Sequence, residues 1–107
     1  MDYLTRQEEQ ILLAIYHLGN TAYLVSIRDE LKELTGKYYD VGTIYIPLKR
    51  LETKGYLETR LGEVTAIRGG KRIKYYVPTE KAFEVLRELK KVQDRLWLGF
   101  EDTTVRA

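Results

Sequence analysis

The sequence predicts a mainly α-helical domain carrying one β-hairpin, in the order α-α-α-β-β-α. Three observations predict it. Apolar residues recur at helical spacing in three successive stretches ahead of Gly55 and again after Pro78. Between Tyr56 and Val77 the pattern changes to strand-like segments around a Gly-Gly turn. At 107 residues the chain has the length of one domain with a single modest core.

Each element follows from local chemistry. Thr5 and Glu8 have the spacing of a capping box, and Ile11, Leu12, Ile15 and Leu18 then share one helical face up to Gly19. Leu24, Ile27, Leu31 and Leu34 give a second helix ending at Gly36, for which Thr21 and Ser26 are both eligible caps. Asp40 caps a third helix with Val41, Ile44, Leu48 and Leu51 facing inward. At about 100° per residue, Gly42, Ile46, Lys49, Arg50 and Thr53 then point outward, with Thr43 and Tyr45 on the flanks. Pro47 falls inside this helix, where proline costs about 3 kcal/mol, so either the first turn is distorted or the helix is kinked.

Tyr56–Leu61 reads as the first strand of the hairpin. Arg72–Val77 is the second, with Ile73, Tyr75 and Val77 on one side and Arg72, Lys74 and Tyr76 on the other. The connection through Arg68-Gly69-Gly70-Lys71 is longer than a minimal hairpin, and its tip is expected to be mobile. Pro78 interrupts the strand and Thr79 caps the last helix. That helix carries Ala82, Val85, Leu89, Val92 and Leu96 in one stripe, with Phe83, Leu86 and Trp97 beside it. Residues 1–78 are expected to form the body, 79–100 a dimerisation helix and 101–107 a disordered tail.

Three helices followed by a hairpin is the winged helix-turn-helix layout, whose third helix enters the DNA major groove. The charge distribution agrees with it. Residues 1–36 balance to −3, residues 37–76 to +5 and residues 77–107 to zero, so the basic third coincides with the third helix and the hairpin.

Other classes find little support. The chain has no cysteine and one histidine, His17, expected to be structural. No metal, cofactor or catalytic residues are expected, and an enzyme is disfavoured. No apolar run has the length of a membrane span, and the acidic start is unlike a secretory signal. A cytoplasmic, nucleoid-associated protein is the expectation.

The candidate DNA contacts each have a plainer reading. Thr43 and Tyr45 sit where base edges are read, or else are a cap and a tyrosine packed on the hairpin. Lys49 and Arg50 suit phosphates, or a salt bridge to Glu52. Tyr23 suits a phosphate or the core. Arg68, Lys71, Arg72 and Lys74 would be the wing's charges, with Gly69 and Gly70 letting its tip approach the backbone. The last helix exposes too much apolar surface for one small domain to cover. A homodimer interface of Phe83, Leu86, Leu89, Val92, Leu96 and Trp97, joined by Ile11 and Ile15 of the first helix, is expected.

Two long motifs carry a family resemblance. Gly42-Thr43-Ile44-Tyr45-Ile46-Pro47-Leu48-Lys49-Arg50-Leu51-Glu52-Thr53-Lys54-Gly55-Tyr56 closely resembles the recognition-helix signature of the PadR-like transcriptional regulators. Gly62 to Arg72 with Tyr75-Tyr76 is similar to that family's wing, and Ala22-Tyr23 and Leu96-Trp97 also match. The similarity runs from about Leu4 to Phe100. It departs at Leu24 and Ala82, where glycine is common, and at Pro47, one position later than in many relatives. The resemblance implies a dimeric DNA-binding regulator of the short kind, most often a repressor, on an inverted repeat of double-stranded DNA. It further implies that Trp97 lines a pocket for a small hydrophobic effector at the dimer interface, or serves there simply as an apolar anchor. A winged-helix module that binds an acidic protein is the competing class.

Overall fold

A computed structural model describes residues 4–62 and 71–102. Its elements are α1 (Arg6–Leu18), α2 (Leu24–Thr35), α3 (Val41–Thr53), β1 (Leu57–Leu61), β2 (Lys74–Pro78) and α4 (Glu80–Trp97), with 3₁₀ turns at Gly19–Thr21 and Phe100–Asp102. The order is the expected one, and the fold is a winged helix. Arg68, Gly69 and Gly70 at the wing tip, with its expected mobility, lie outside the described residues, as does most of the expected tail.

The helix boundaries follow from their caps. In α1 the Glu8 amide donates to Thr5 Oγ1 at 3.0 Å while the Thr5 amide donates to Glu8 Oε1 at 2.9 Å, the reciprocal capping box. The cap of α2 is Tyr23, not Thr21 or Ser26. Ser26 lies three residues further on and reaches back: its Oγ accepts from the Tyr23 amide at 2.9 Å and donates to the Thr21 carbonyl at 2.7 Å. Gly36 ends α2 at φ 75°, a conformation a Cβ would disfavour. Asp40 caps α3 as expected, and Thr79 caps α4 while donating to the Gly55 carbonyl at 2.7 Å.

The core lies where α1, α2 and α3 meet. Ile11, Leu12, Ile15, Ile27, Leu31, Ile44, Leu48 and Leu51 are buried there, closed over by Tyr56, Leu57, Tyr76 and Ala82. Two expectations are corrected. Ile11 and Ile15 have no exposed surface, because their positions on α1 face α2 and α3; they belong to the protomer's own core and not to an interface. Val41, at the first position of α3, is exposed because the inward stripe begins only at Ile44. Pro47 is buried inside an α3 assigned as helix throughout.

The hairpin is antiparallel, in register from Leu57 opposite Pro78 to Leu61 opposite Lys74, and the Gly62 amide extends it by donating to the Ile73 carbonyl at 2.7 Å. Thus β2 begins two residues later than the alternation suggested and includes Pro78. On its outer edge, the Tyr76 amide donates to the Ala22 carbonyl at 2.8 Å, fixing the hairpin to the link between α1 and α2. The side chain that β2 buries is Tyr76.

The first turns of α4 sit on this body through Ala82, Val85 and Leu86. Eighteen residues make a helix of about 27 Å. The molecule measures 59 × 29 × 21 Å with a radius of gyration of 16.4 Å, against about 13 Å for a compact chain of this length. The distal part of α4 therefore extends away from the core.

Candidate nucleic-acid interface

Helix α3 presents its polar face beside the hairpin. Gly42, Thr43, Tyr45, Ile46, Lys49 and Thr53 are all exposed on it. The Thr43 side chain has the capping job of the plainer reading: its amide and hydroxyl both donate to Asp40 Oδ1, at 2.8 and 2.9 Å. Those two bonds hold the Asp40 carboxyl below the usual aspartate range. The arrangement fixes Thr43 at the helix start with its side chain still exposed. Pro47 has no N–H, so the Thr43 carbonyl has no donor at the i+4 position, which leaves an acceptor near the same end of α3.

The cations on and around α3 fall into two states. Lys49 pairs with no carboxylate among the described residues. Arg50 does not pair with Glu52, the partner expected on the plainer reading. Its Nε lies 3.5 Å from Glu8 Oε2, and Lys54 Nζ lies 3.5 Å from the same oxygen. Glu52 instead faces the hairpin, 3.6 Å from Lys74 Nζ and 3.4 Å from the Thr59 hydroxyl. Lys74 also lies over the Tyr76 ring, 5.4 Å from its centre. Burial first, then Glu52 and Tyr45, push the Tyr76 phenol above its ordinary value. The wing charge nearest the body is thus tied to α3, while Lys71 and Arg72 are exposed beyond the start of β2.

The root of the wing is held on its other side by an aromatic cluster. Tyr23, half-buried at the cap of α2, meets Tyr75 edge-on at 6.0 Å. The Arg60 guanidinium lies 4.5 Å from the Tyr75 ring centre and donates to the Asn20 carbonyl at 2.8 Å. A Cβ on Gly62 would come within 2.7 Å of Tyr75 Cε2, so this close approach needs glycine. Chemically, α3 and the described part of the hairpin form one surface with exposed hydroxyl, phenol, ammonium and guanidinium groups, suited to an anionic, hydrogen-bonding partner.

A scan against protein-family models finds no match, and neither does a search of the curated proteins. Solved structures do match. A PadR-like transcription factor from Bacteroides fragilis is 30% identical, over 89% of this chain and 86% of that one, with a TM-score of 0.73. The chain belongs to the PadR-like family of transcriptional regulators. A PadR family transcriptional regulator from Eggerthella lenta is 26% identical, covering 91% of this chain and 82% of that one, at a TM-score of 0.69. For the fold alone, a PadR-like regulator from Bacillus cereus adds a TM-score of 0.72 at 24% identity, over 89% of this chain and 87% of that one.

In this PadR-like chain, the apolar residues expected at a dimer interface divide by depth. Phe83, Leu86 and Leu89 are half-buried, whereas Val92, Leu96 and Trp97 are exposed. Trp97 meets Phe100 edge-on at 5.0 Å, and Leu98 beside them is 85% exposed. Phe83, Leu86, Arg87, Lys90 and Gln93 of α4 line an open groove of about 580 Å³ with Glu9, Leu13 and Tyr16 of α1. The outward contribution of α1 is therefore Leu13 and Tyr16 in place of Ile11 and Ile15. His17 is exposed at the end of α1, edge-on to Tyr16, and not packed as a structural histidine. Among the described residues there is no cluster of His, Cys, Asp or Glu that could hold a metal, and no helix long and apolar enough to cross a membrane.

Sequence reasoning missed the wider role of Glu8 and the parts played by Lys54 and Arg60. A signal for the first was available. Glu8 lies on the same stripe as Ile11, Leu12 and Ile15, so a carboxylate at that position had to enter the interior and find cations there. Nothing in the sequence marks Arg60, whose carbonyl partner lies 40 residues earlier.

Proposed function

We propose that this PadR-like chain is a cytoplasmic, nucleoid-associated transcriptional repressor that binds an inverted-repeat operator as a homodimer. The observation carrying the reading is the exposed, basic face of α3 held beside the hairpin by Glu52, Lys74 and Thr59. A helix presented in this way fits the major groove, and a hairpin beside it reaches the flanking minor groove. Thr43, Tyr45 and the exposed Ile46 are assigned to base edges. Lys49, Arg50, Tyr23 and the wing residues Arg68 to Arg72 are assigned to the backbone, with Lys74 bracing the wing.

The second copy completes what α4 leaves open. Val92, Leu96 and Trp97 extend beyond the body, and the groove between α1 and α4 offers a complementary apolar seat. A small hydrophobic effector would compete with the second copy for this groove, and Trp97 is not among the residues that line it.

Fluorescence anisotropy on duplexes from upstream of the protein's own gene tests this reading. Two inverted half-sites about 10 bp apart, or a multiple of that, should bind far more tightly than random DNA, and binding should fall steeply with salt. Lys49→Ala should weaken specific and random binding alike, whereas Thr43 or Tyr45 substitutions should change which sequence is preferred. Binding that ignores sequence would favour the module that docks on an acidic protein.

A further inference from the structure

We propose that Glu8 is an internal counter-charge for Arg50, assigned above to the DNA backbone, and for Lys54 beside it: it holds both in the free protein, and DNA phosphates must draw them away. The inference rests on the reading of α3 as the helix that faces DNA.

The geometry is that of one anion shared between two cations. The Glu8 side chain is 1% exposed. Its Oε1 is occupied by the Thr5 amide, while Oε2 is buried and accepts no hydrogen bond. Both Arg50 Nε and Lys54 Nζ lie 3.5 Å from that second oxygen. Charge-assisted bonds of this type close to about 2.7–2.9 Å, so the two cations are attracted without being locked. Their side chains remain 46% and 38% exposed. Arg50 approaches Glu8 with its Nε, and its guanidinium carries further N–H donors that a second acceptor can take. Lys54, the C-cap of α3, follows Arg50 by four residues, so the two lie on one side of the helix end.

A purely structural pin between α1 and α3 would need one partner. Two partners on one charge leave one excess positive charge at the surface, on the flank of α3 that meets α1. Burial pushes the Glu8 carboxyl upward, but the Thr5 amide, Lys54, the Thr5 side chain and Arg50 together hold it below the usual glutamate range. It stays charged, and competes with phosphate, wherever the protein is assayed near neutrality. Glu52, by contrast, is partly exposed and pairs with the single cation Lys74, and Lys49 faces no carboxylate among the described residues.

Glu8→Gln in the full chain tests the proposal. Glutamine keeps an oxygen for the Thr5 amide, as capping boxes allow, and removes only the charge. With a random-sequence duplex, read by anisotropy between roughly 50 and 200 mM salt, Glu8→Gln should bind severalfold more tightly. The plot of log affinity against log salt should steepen by about 0.9, one further phosphate engaged. The gain should vanish when Arg50→Gln and Lys54→Gln are added. Unchanged or weaker binding with an unaltered slope, even with a lower Tm, would return Glu8 to a structural pin and overturn the proposal. Should Glu8→Gln fail to fold, Lys54→Gln on the surface gives the answer. Glu8 would then keep Arg50 to itself, so the slope should flatten by roughly the 0.9 of one phosphate and adding Arg50→Gln should flatten it no further; an unaltered slope in Lys54→Gln, or a second loss of that size on adding Arg50→Gln, would overturn the proposal. A wild-type chain that binds no duplex at low salt removes the DNA reading itself; a wild type that binds, with Glu8→Gln indistinguishable from it, removes only the counter-charge.

Discussion

The two ends of α4 are made of similar residues in different surroundings. At its first turns Ala82 is buried, Val85 and Leu86 pack on the core, and Thr79 is tied to Gly55. From Val92 onward, Val92, Leu96, Trp97, Leu98 and Phe100 are between 40% and 85% exposed. Apolar burial stabilises by about 25 cal/mol per Å², so the proximal end is held by its own chain and the distal end is not. An isolated helix of this length is marginal in water. The difference separates residues that make the fold from apolar residues that the chain's own described residues leave uncovered, and these are the ones the proposed homodimer would cover.

The largest expected effect breaks the satisfied region. Leu48→Ala removes a fully buried side chain where α1, α2 and α3 meet, and should cost about 2–5 kcal/mol in denaturant unfolding. Leu89→Glu with Leu96→Glu acts on the open region instead. The pair should raise the dimer dissociation constant roughly a thousandfold, about 4 kcal/mol, while far-UV circular dichroism stays helical. Parent-like sedimentation by that double variant would mean the exposed stripe is not the interface. Thr79→Ala lies at the boundary between the regions and should cost about 1 kcal/mol, read as a lower Tm.

The smallest effect is in acid. Glu8 titrates below its ordinary range in the folded chain, so the unfolded chain takes up its proton first as pH falls. The stability that Glu8 contributes is therefore full above the usual glutamate range and is lost as pH falls through the lowered folded value. Glu8→Gln should show a shallower decline of Tm with acid than the parent. A parallel decline would indicate that the charge on Glu8 adds nothing to the folded state.

Local rules made most of the fold legible. Thr5 with Glu8, Asp40 and Thr79 are caps readable from spacing alone, and the stripes of α1 to α3 name most of the core. What escaped reading depends on tertiary distance. Period three-and-four identifies an apolar face but not whether the covering surface belongs to the same chain, so the pattern alone does not separate Ile11 and Ile15, which are buried, from Leu96, which is exposed. Likewise, the basic character of Arg50 was plain, but its pairing with Glu8 spans 42 positions and two helices. At α2, Ser26 lies within the first turn because its hydroxyl can reach back to the Tyr23 amide as readily as cap forward.

Sedimentation velocity at micromolar concentration, alone and with an inverted-repeat duplex from upstream of the gene, tests the central claim most directly. The account predicts a species of about twice the 12.6 kDa chain mass in the free protein and two chains on each duplex. Both should be lost together in the Leu89→Glu, Leu96→Glu variant. A soluble monomer that binds the duplex one chain at a time, with the distal end of α4 uncovered, would contradict it.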